Sequence, residues 1–277
     1  MSDENTPLRD LLNRSGVPFQ LTVEKAIASA GAPHRIRLVR REVPWASGFI
    51  DIVARKDSNV FLAFECKRVD EKPWVFVISE QNQRRVTRCR LEWFNGRVEI
   101  PTFATKDHSR VFCSEWTLAE PSPESEFCIV PKGTPINSLE DVCSELLAGC
   151  HDLLANEEIR LGGHSAIILP VIVTNALLKV CRLDPEAVPL DTGKIDSDIG
   201  EFVDADFVRF RKSLVTRRSN SYDTSPMNLR EWVGDSERTV FVVRPAALGR
   251  FFSRLRTFPD SEEVPKEFST PPKFAGD

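Results

Sequence analysis

The sequence predicts an α/β protein with a mixed central sheet flanked by helices, and three stretches carry that expectation. Residues 49–54 and 60–64 are apolar runs joined by Lys56-Asp57-Ser58-Asn59, the pattern of two paired strands and their turn. Residues 139–159 place Leu139, Val142, Leu146, Cys150 and Leu153 at helical spacing, over a length sufficient to cross a sheet. Residues 166–173, AIILPVIV, are apolar on both faces, as a central parallel strand must be when helices cover both sides.

Taken in order, Pro7 opens a short helix over 6–14 that carries Leu8, Leu11 and Leu12, and Gly16 and Pro18 stop it. Thr22 caps a second helix that runs to Ala30, is closed by Gly31 and Pro33, and turns Val23 and Ile27 inward. Residues 35–43 alternate apolar side chains with arginines and form the first strand; 48–54 and 60–68 are the next two. Strand-like runs at 74–78, 86–94, 110–118 and 127–130 are broken by Asn95-Gly96, Pro101 and Pro121-Ser122-Pro123, which predicts a β-rich insertion. Its aromatics Trp74, Trp93, Phe94 and Trp116 are read as core rather than as platforms for bases.

Ser138, with Asp141 three residues on, caps the long helix, which Gly162-Gly163 ends. Residues 177–183 add a strand, 184–200 an acidic surface loop, 201–216 and 239–244 further strands, and Pro245 opens a last helix with Leu248, Phe251, Phe252 and Leu255 on one stripe. The polar Thr174-Asn175-Ala176 step lies just past the central strand, where it forms either a ligand crevice or a plain turn. The expected organisation is one domain over 1–258. Its core is about 20–68 and 138–183, its β-rich insertion 70–137 and its C-terminal extra strands and helix 184–258, with a flexible tail over 259–277.

Composition excludes several classes. No apolar run approaches the roughly 20 residues that span a bilayer, and MSDENTPLRD is too polar for a signal peptide, so a cytoplasmic protein is expected. Seven Cys without a CxxC and four His without an HExxH offer neither a disulfide framework nor a zinc site. No Gly-rich phosphate loop supports a nucleotide enzyme. A net charge of −4 does not coat nucleic acid by bulk charge. Three arginine-rich groups nevertheless suit phosphate contacts: Arg35, Arg37, Arg40 and Arg41; Arg84, Arg85, Arg88 and Arg90; and Arg209, Arg211, Lys212, Arg217 and Arg218. Gln81 and Gln83 lie close to the second of these groups.

The two early strands carry acid where a buried strand should not. Asp51 sits among Phe49, Ile50, Ile52 and Val53, and the second strand ends in Glu65-Cys66-Lys67. Strand alternation puts Glu65 and Lys67 on one face, and Asp51 joining them would gather two carboxylates and an ammonium in a small volume. Such a cluster is costly to bury without a function or a cation. Two carboxylates suit Mg²⁺, and a neighbouring lysine suits charge developing on phosphorus, which points to metal-assisted phosphodiester hydrolysis. A second acid-x-Lys, Asp70-Glu71-Lys72, precedes Pro73 and is read as a solvated turn.

Asp51 followed by Glu65-Cys66-Lys67 resembles the signature of the PD-(D/E)XK (restriction-endonuclease-like) nucleases, with Ile50 standing where the signature has proline. The resemblance implies a restriction-endonuclease-like core, with Asp51 and Glu65 as metal ligands, the Cys66 carbonyl as a further ligand and Lys67 as the catalytic lysine. Glu24 matches the acid that members often supply from the helix before the first strand. It further implies Mg²⁺ or Mn²⁺ as cofactor, endonuclease action, DNA rather than RNA as partner, and a place in bacterial defence, restriction or repair; a homodimer or a partner subunit is left open. Two other readings of the same residues stay open: a silent nuclease-fold module that binds nucleic acid or protein, and a plain Glu65–Lys67 ion pair at a strand end.

Overall fold

The computed structural model describes residues 5–57, 59–69, 72–79, 88–94, 111–117, 122–133, 136–155, 165–195, 200–214 and 236–255. In chain order the elements are α1 (Thr6–Ser15), α2 (Val17–Gly31), β1 (Ile36–Trp45), β2 (Gly48–Lys56), β3 (Val60–Lys67), β4 (Pro73–Ser79), β5 (Arg88–Phe94), β6 (Val111–Thr117), β7 (Glu124–Ser125) and β8 (Phe127–Ile129). There follow α3 (Leu139–Ala155), β9 (Ala166–Thr174), β10 (Leu177–Leu183), β11 (Glu201–Asp204), β12 (Phe207–Ser213), β13 (Glu237–Val243) and α4 (Leu248–Arg254).

The chain is mixed α/β, with a central sheet of parallel and antiparallel strands flanked by helices. That sheet runs β1-β2-β3-β9-β13-β12-β7, and the β5–β6 hairpin joins it where β5 pairs with the start of β9. β1, β2 and β3 are antiparallel neighbours. β9 then returns parallel to β3 from Val60↔Ile167 to Lys67↔Thr174. Antiparallel neighbours need only a turn, whereas the parallel return needs a crossover, supplied here across one face by α3. Leu139, Leu146, Leu147 and Leu154 of α3 pack with Val53, Ala63 and Ile168 on that face. Val23 and Ile27 of α2 and Phe251 and Phe252 of α4 cover the other, against Ile52, Leu62 and Phe64. The rings of Phe64 and Phe252 meet edge-on at 6.4 Å.

A second sheet, β11-β10-β4-β8, continues the first across a bend. β3 and β9 are a parallel pair, and so are their successors β4 and β10. At the bend the Val69 amide donates to Asn175 Oδ1 at 2.7 Å, and the Leu177 amide donates to the Lys72 carbonyl at 3.2 Å. Asn175 thus occupies a structural turn, joining the two connections that pass between the sheets.

Several expectations are corrected. Thr22 lies inside α2, its hydroxyl donating to the Pro18 carbonyl at 2.8 Å. The helix begins instead after Gly16, whose φ of 77° only glycine adopts freely, and it tolerates Pro18 because the first-turn N–H has no helical partner to lose. The single strand expected over 201–216 is two, broken where the Ala205 amide donates to the Leu178 carbonyl; β11 joins the second sheet and β12 the first. The strands of residues 70–137 contribute to both sheets, β4 and β8 to the second, and β5, β6 and β7 to the first. Ser138 does cap α3, accepting from the Asp141 amide at 3.1 Å. Trp74, Trp93, Phe94 and Trp116 are buried, Trp93 and Trp116 edge-to-face at 6.5 Å. Asp70, Glu71, Gln81, Gln83, Arg84, Arg85, Arg217, Arg218, the helix end at 156–159, Gly162-Gly163 and the 259–277 tail lie outside the described residues.

Arg209 and Arg211 of the third arginine group are interior rather than lining a groove. Arg209 is fully buried 3.3 Å from Glu124, and Arg211 pairs with Glu115 at 2.8 Å and Glu237 at 2.9 Å. Lys212 pairs with Glu140. β12 is sandwiched between β7 and β13, so its arginines have neighbours on both sides.

If Asn175 is the clasp of the bend, Asn175→Ala strands the Val69 amide and costs about 1–3 kcal/mol, whereas Asn175→Asp keeps the acceptor and most of the stability. Urea unfolding of the two variants checks this.

Candidate active site

The β2–β3 ladder pairs Lys56↔Val60 through Ile52↔Phe64 and stops. Its next rung would set Asp51 opposite Glu65. Instead the two strands separate and the Asp51 carboxylate accepts the Cys66 amide at 2.7 Å, replacing a ladder bond with a side-chain one. β3 does not follow β2, because β9 holds it in register as far as Lys67↔Thr174. Gln20 of α2 fixes Asp51 from behind, its Nε2 donating to the Asp51 carbonyl at 3.2 Å.

The fork has a backbone cause. In β1, Arg41↔Ile52 and Val43↔Ile50 place Glu42 opposite Asp51, and Glu42 has a φ of 47°, a left-handed conformation costly for a residue with a side chain. Alternation is interrupted there: Ile52 packs on the α2 side, whereas Ile50 and Val43 pack on the α3 side. α3 comes down onto this end of the hairpin at Gly149, where a Cβ would lie 3.0 Å from Ile50 and 3.1 Å from the Trp45 ring nitrogen.

Asp51, Glu65 and Lys67 are therefore brought together, with Lys67 Nζ 2.7 Å from Glu65 Oε1. Burial pushes the Asp51 carboxyl above its ordinary range; the Cys66 amide and Lys67 pull it back and Glu42 adds to the rise. Burial also raises Glu65, then the neighbouring Asp51 charge, with Lys67 opposing and Glu145 of α3 contributing further. For Lys67, burial works against the ammonium, but Glu65 and Asp51 outweigh it and the proton is held more firmly than usual. The Cys66 thiol is pushed well up by burial and by both acids, so it is no nucleophile here.

Glu24 is not drawn into this cluster. Its carboxylate lies 3.4 Å from Arg41 Nη1, and the outlying acids felt at the fork are Glu42 and Glu145 instead. Gln20, Glu42 and Glu145 were not singled out from the sequence. No local signal marks them: Glu42 stands out only through the β1–β2 register, and Glu145 only through its place one helical turn before the close approach at Gly149.

Among the described residues no group of three or more His, Cys, Asp or Glu side chains is gathered as a metal site. The donor set at the fork is two carboxylates, which suits a hard ion that keeps most of its water, and both acids are raised in the direction a cation would reverse. No helix among the described residues is long and apolar enough to cross a membrane. No family model, no curated protein and no solved structure matches the chain.

A carboxyl raised in the folded state makes the native protein bind more protons than the unfolded chain, so it subtracts stability as pH rises above the ordinary value. Asp51→Asn keeps an acceptor for Cys66 and removes the charge. In EDTA the variant is expected to be more stable than wild type at pH 8, with the advantage vanishing as pH falls towards the ordinary aspartate value of 3.8. Paired urea titrations at the two ends of that range measure it.

Proposed function

We propose that the protein is a metal-dependent nuclease of the PD-(D/E)XK type, cutting phosphodiester bonds in DNA in preference to RNA, in the cytoplasm. The observation that carries this reading is the fork itself, where two half-buried carboxylates with raised pKa values share one volume with a firmly protonated lysine. An ion-pair clasp needs one acid for one base. The second acid leaves the cluster short of positive charge in a site that has withdrawn from water, and perturbed groups of this kind concentrate where chemistry is done.

In this reading Asp51 and Glu65 would hold Mg²⁺ or Mn²⁺, with the Cys66 carbonyl as the further donor that the resemblance names. The ion when bound acidifies a water and offsets charge on the phosphoryl oxygens. Lys67 acts as a fixed cation rather than a base, because its proton is stabilised by Glu65 and Asp51. In that role it would offset negative charge developing on phosphorus. The Cys66 amide and Gln20 orient Asp51 from its side chain and its backbone. Glu24 enters only through Arg41, as a positioning contact on the α2 side of the hairpin.

Cleavage of supercoiled plasmid and of linear single- and double-stranded DNA and RNA, with and without Mg²⁺ or Mn²⁺, tests the proposal. Metal-dependent cutting is expected, with Lys67→Ala folded but slower by about 10²- to 10³-fold. A folded wild type that cuts none of these substrates in either metal would sink the reading and favour a silent binding module.

Metal binding has a readout of its own. At a hundredfold excess over its dissociation constant, Mg²⁺ should add about 2.7 kcal/mol to wild-type stability and much less to Asp51→Asn, as followed by thermal unfolding.

A further inference from the structure

We propose that Arg37, Arg40 and Arg55, on the β1–β2 hairpin, form a docking surface for the phosphate backbone of duplex DNA that leads to the Asp51–Lys67 fork. The inference takes from the nuclease reading only what lies at the end of the row.

The arginines of this region have different fates. Arg41 is paired with Glu24 and Arg35 lies 3.7 Å from Asp57. Arg209 and Arg211 are buried among acids. Arg37 and Arg40 are exposed and have no acid partner among the described residues. The register then adds a feature that local sequence does not reveal: Arg37 stands directly opposite Arg55, also exposed. Side chains directly opposed in an antiparallel pair share a face and nearly touch, and two like charges there weaken the sheet. Nothing in the packing of the hairpin calls for that arrangement, whereas a shared anion would relieve it. Arg55 is braced on its own side, its Nε donating to the Asp57 carbonyl at 3.0 Å and its guanidinium 5.8 Å from the Phe61 ring.

The row has a direction. One rung along from Arg37–Arg55 on the same face is Arg40↔Val53, and Val53 pairs with Ala63; α3 covers both apolar residues, so the exposed row keeps to the outer edge of the hairpin. Two and four residues beyond Ala63 on that face come Glu65 and Lys67. Arg41, by contrast, projects to the opposite face with Ile52, towards α2. From Arg55 to Asp51 is four residues of strand, about 13 Å, which matches about four nucleotides of axial rise on one DNA strand. Among the described residues β1 pairs with β2 alone and is the edge of its sheet, so a duplex can lie along it. Guanidinium groups suit this task because their planar forks meet phosphate oxygens two at a time.

Binding of a fluorescent duplex by the full chain in EDTA, titrated with salt, reads the surface without cleavage. Arg37→Ala/Arg40→Ala is expected to weaken binding on all sequences alike and to lower the slope of log K against log salt by about 2, at about 0.9 per phosphate contact. Its thermal midpoint should equal or exceed that of wild type, since a like-charge contact is relieved, whereas a merely structural role would lower it. Arg250→Ala removes an exposed arginine paired with Asp206 elsewhere and should leave the slope unchanged. A wild type that does not bind, an unchanged slope in the double variant, or an equal drop in Arg250→Ala each overturns the inference. Slope loss in a protein that never cuts would uphold the surface and refute the nuclease. Cutting with an unchanged slope would do the reverse.

Discussion

The parallel ladder between β3 and β9 is the constraint on which the candidate site depends. β9 is buried from Ala166 to Thr174, so its backbone groups must find partners in the strands beside it. β3 supplies one side for eight consecutive residues, and β13 meets the other at Val171 to Val173. β3 is consequently held straight to its last residue. β2, whose outer partner is the edge strand β1, is free to leave at Ile52, and the Cys66 amide loses its ladder acceptor. The Asp51 carboxylate takes that place. One side chain thus closes the gap in the sheet and presents a charge beside Glu65, so the fold and the site share a single hydrogen bond.

Glu92 and the two acids of the fork are shifted in opposite directions, and the contrast distinguishes a matched network from an undercharged one. In β5, which joins the sheet at the start of β9, Glu92 lies 3.0 Å from Arg238 and 3.3 Å from His151. Burial alone would raise it, yet His151 and Arg238 hold it below the ordinary glutamate range. Each acid there has a cation to answer it, so the network is complete without a ligand. At the fork the balance is reversed: Lys67 answers Glu65, Asp51 is held by the amide and thiol of Cys66, neither of them a cation, and both carboxyls are raised. A matched network holds strands together, whereas an undercharged one is at its most stable when something positive arrives.

Much of this was legible in the sequence, for identifiable reasons. The β2 and β3 runs, the fully apolar β9 and the Ser138-capped α3 are each specified by their own residues, and their order allows few sheets. Asp51, Glu65 and Lys67 stood out because charge inside an apolar run is itself a signal. What escaped was whatever depends on register or on a distant segment. Nothing local says that Glu42 lies opposite Asp51, that Arg37 lies opposite Arg55, or that β4 would join β10. Glu24 was assigned by analogy of position, and Arg41, at the far end of an intervening strand, engages it. Gly16 and Pro18 were legible as a stop, and Gly16 does close α1; what escaped is that the same two residues also open α2, since both are as good at an N-terminus as after an end.

The arginines show why composition alone could not tell committed positive charge from uncommitted. Arg209 and Arg211 lie in β12 beside Phe207, Val208 and Phe210, a run buried on both faces between β7 and β13. Arg37 and Arg40 lie in β1 beside Leu38 and Val39, which looks similar in sequence. The difference is the strand's place in the sheet. In the middle, an arginine is stable only if acids from neighbouring strands surround it, and Glu115, Glu124 and Glu237 come from three other strands to do so. At the edge, water serves instead, and the guanidinium remains free to exchange it for phosphate. A chain with a net charge of −4 can hold a polyanion only where its positive charge is left uncommitted, and in this fold the edge hairpin next to the fork is such a place.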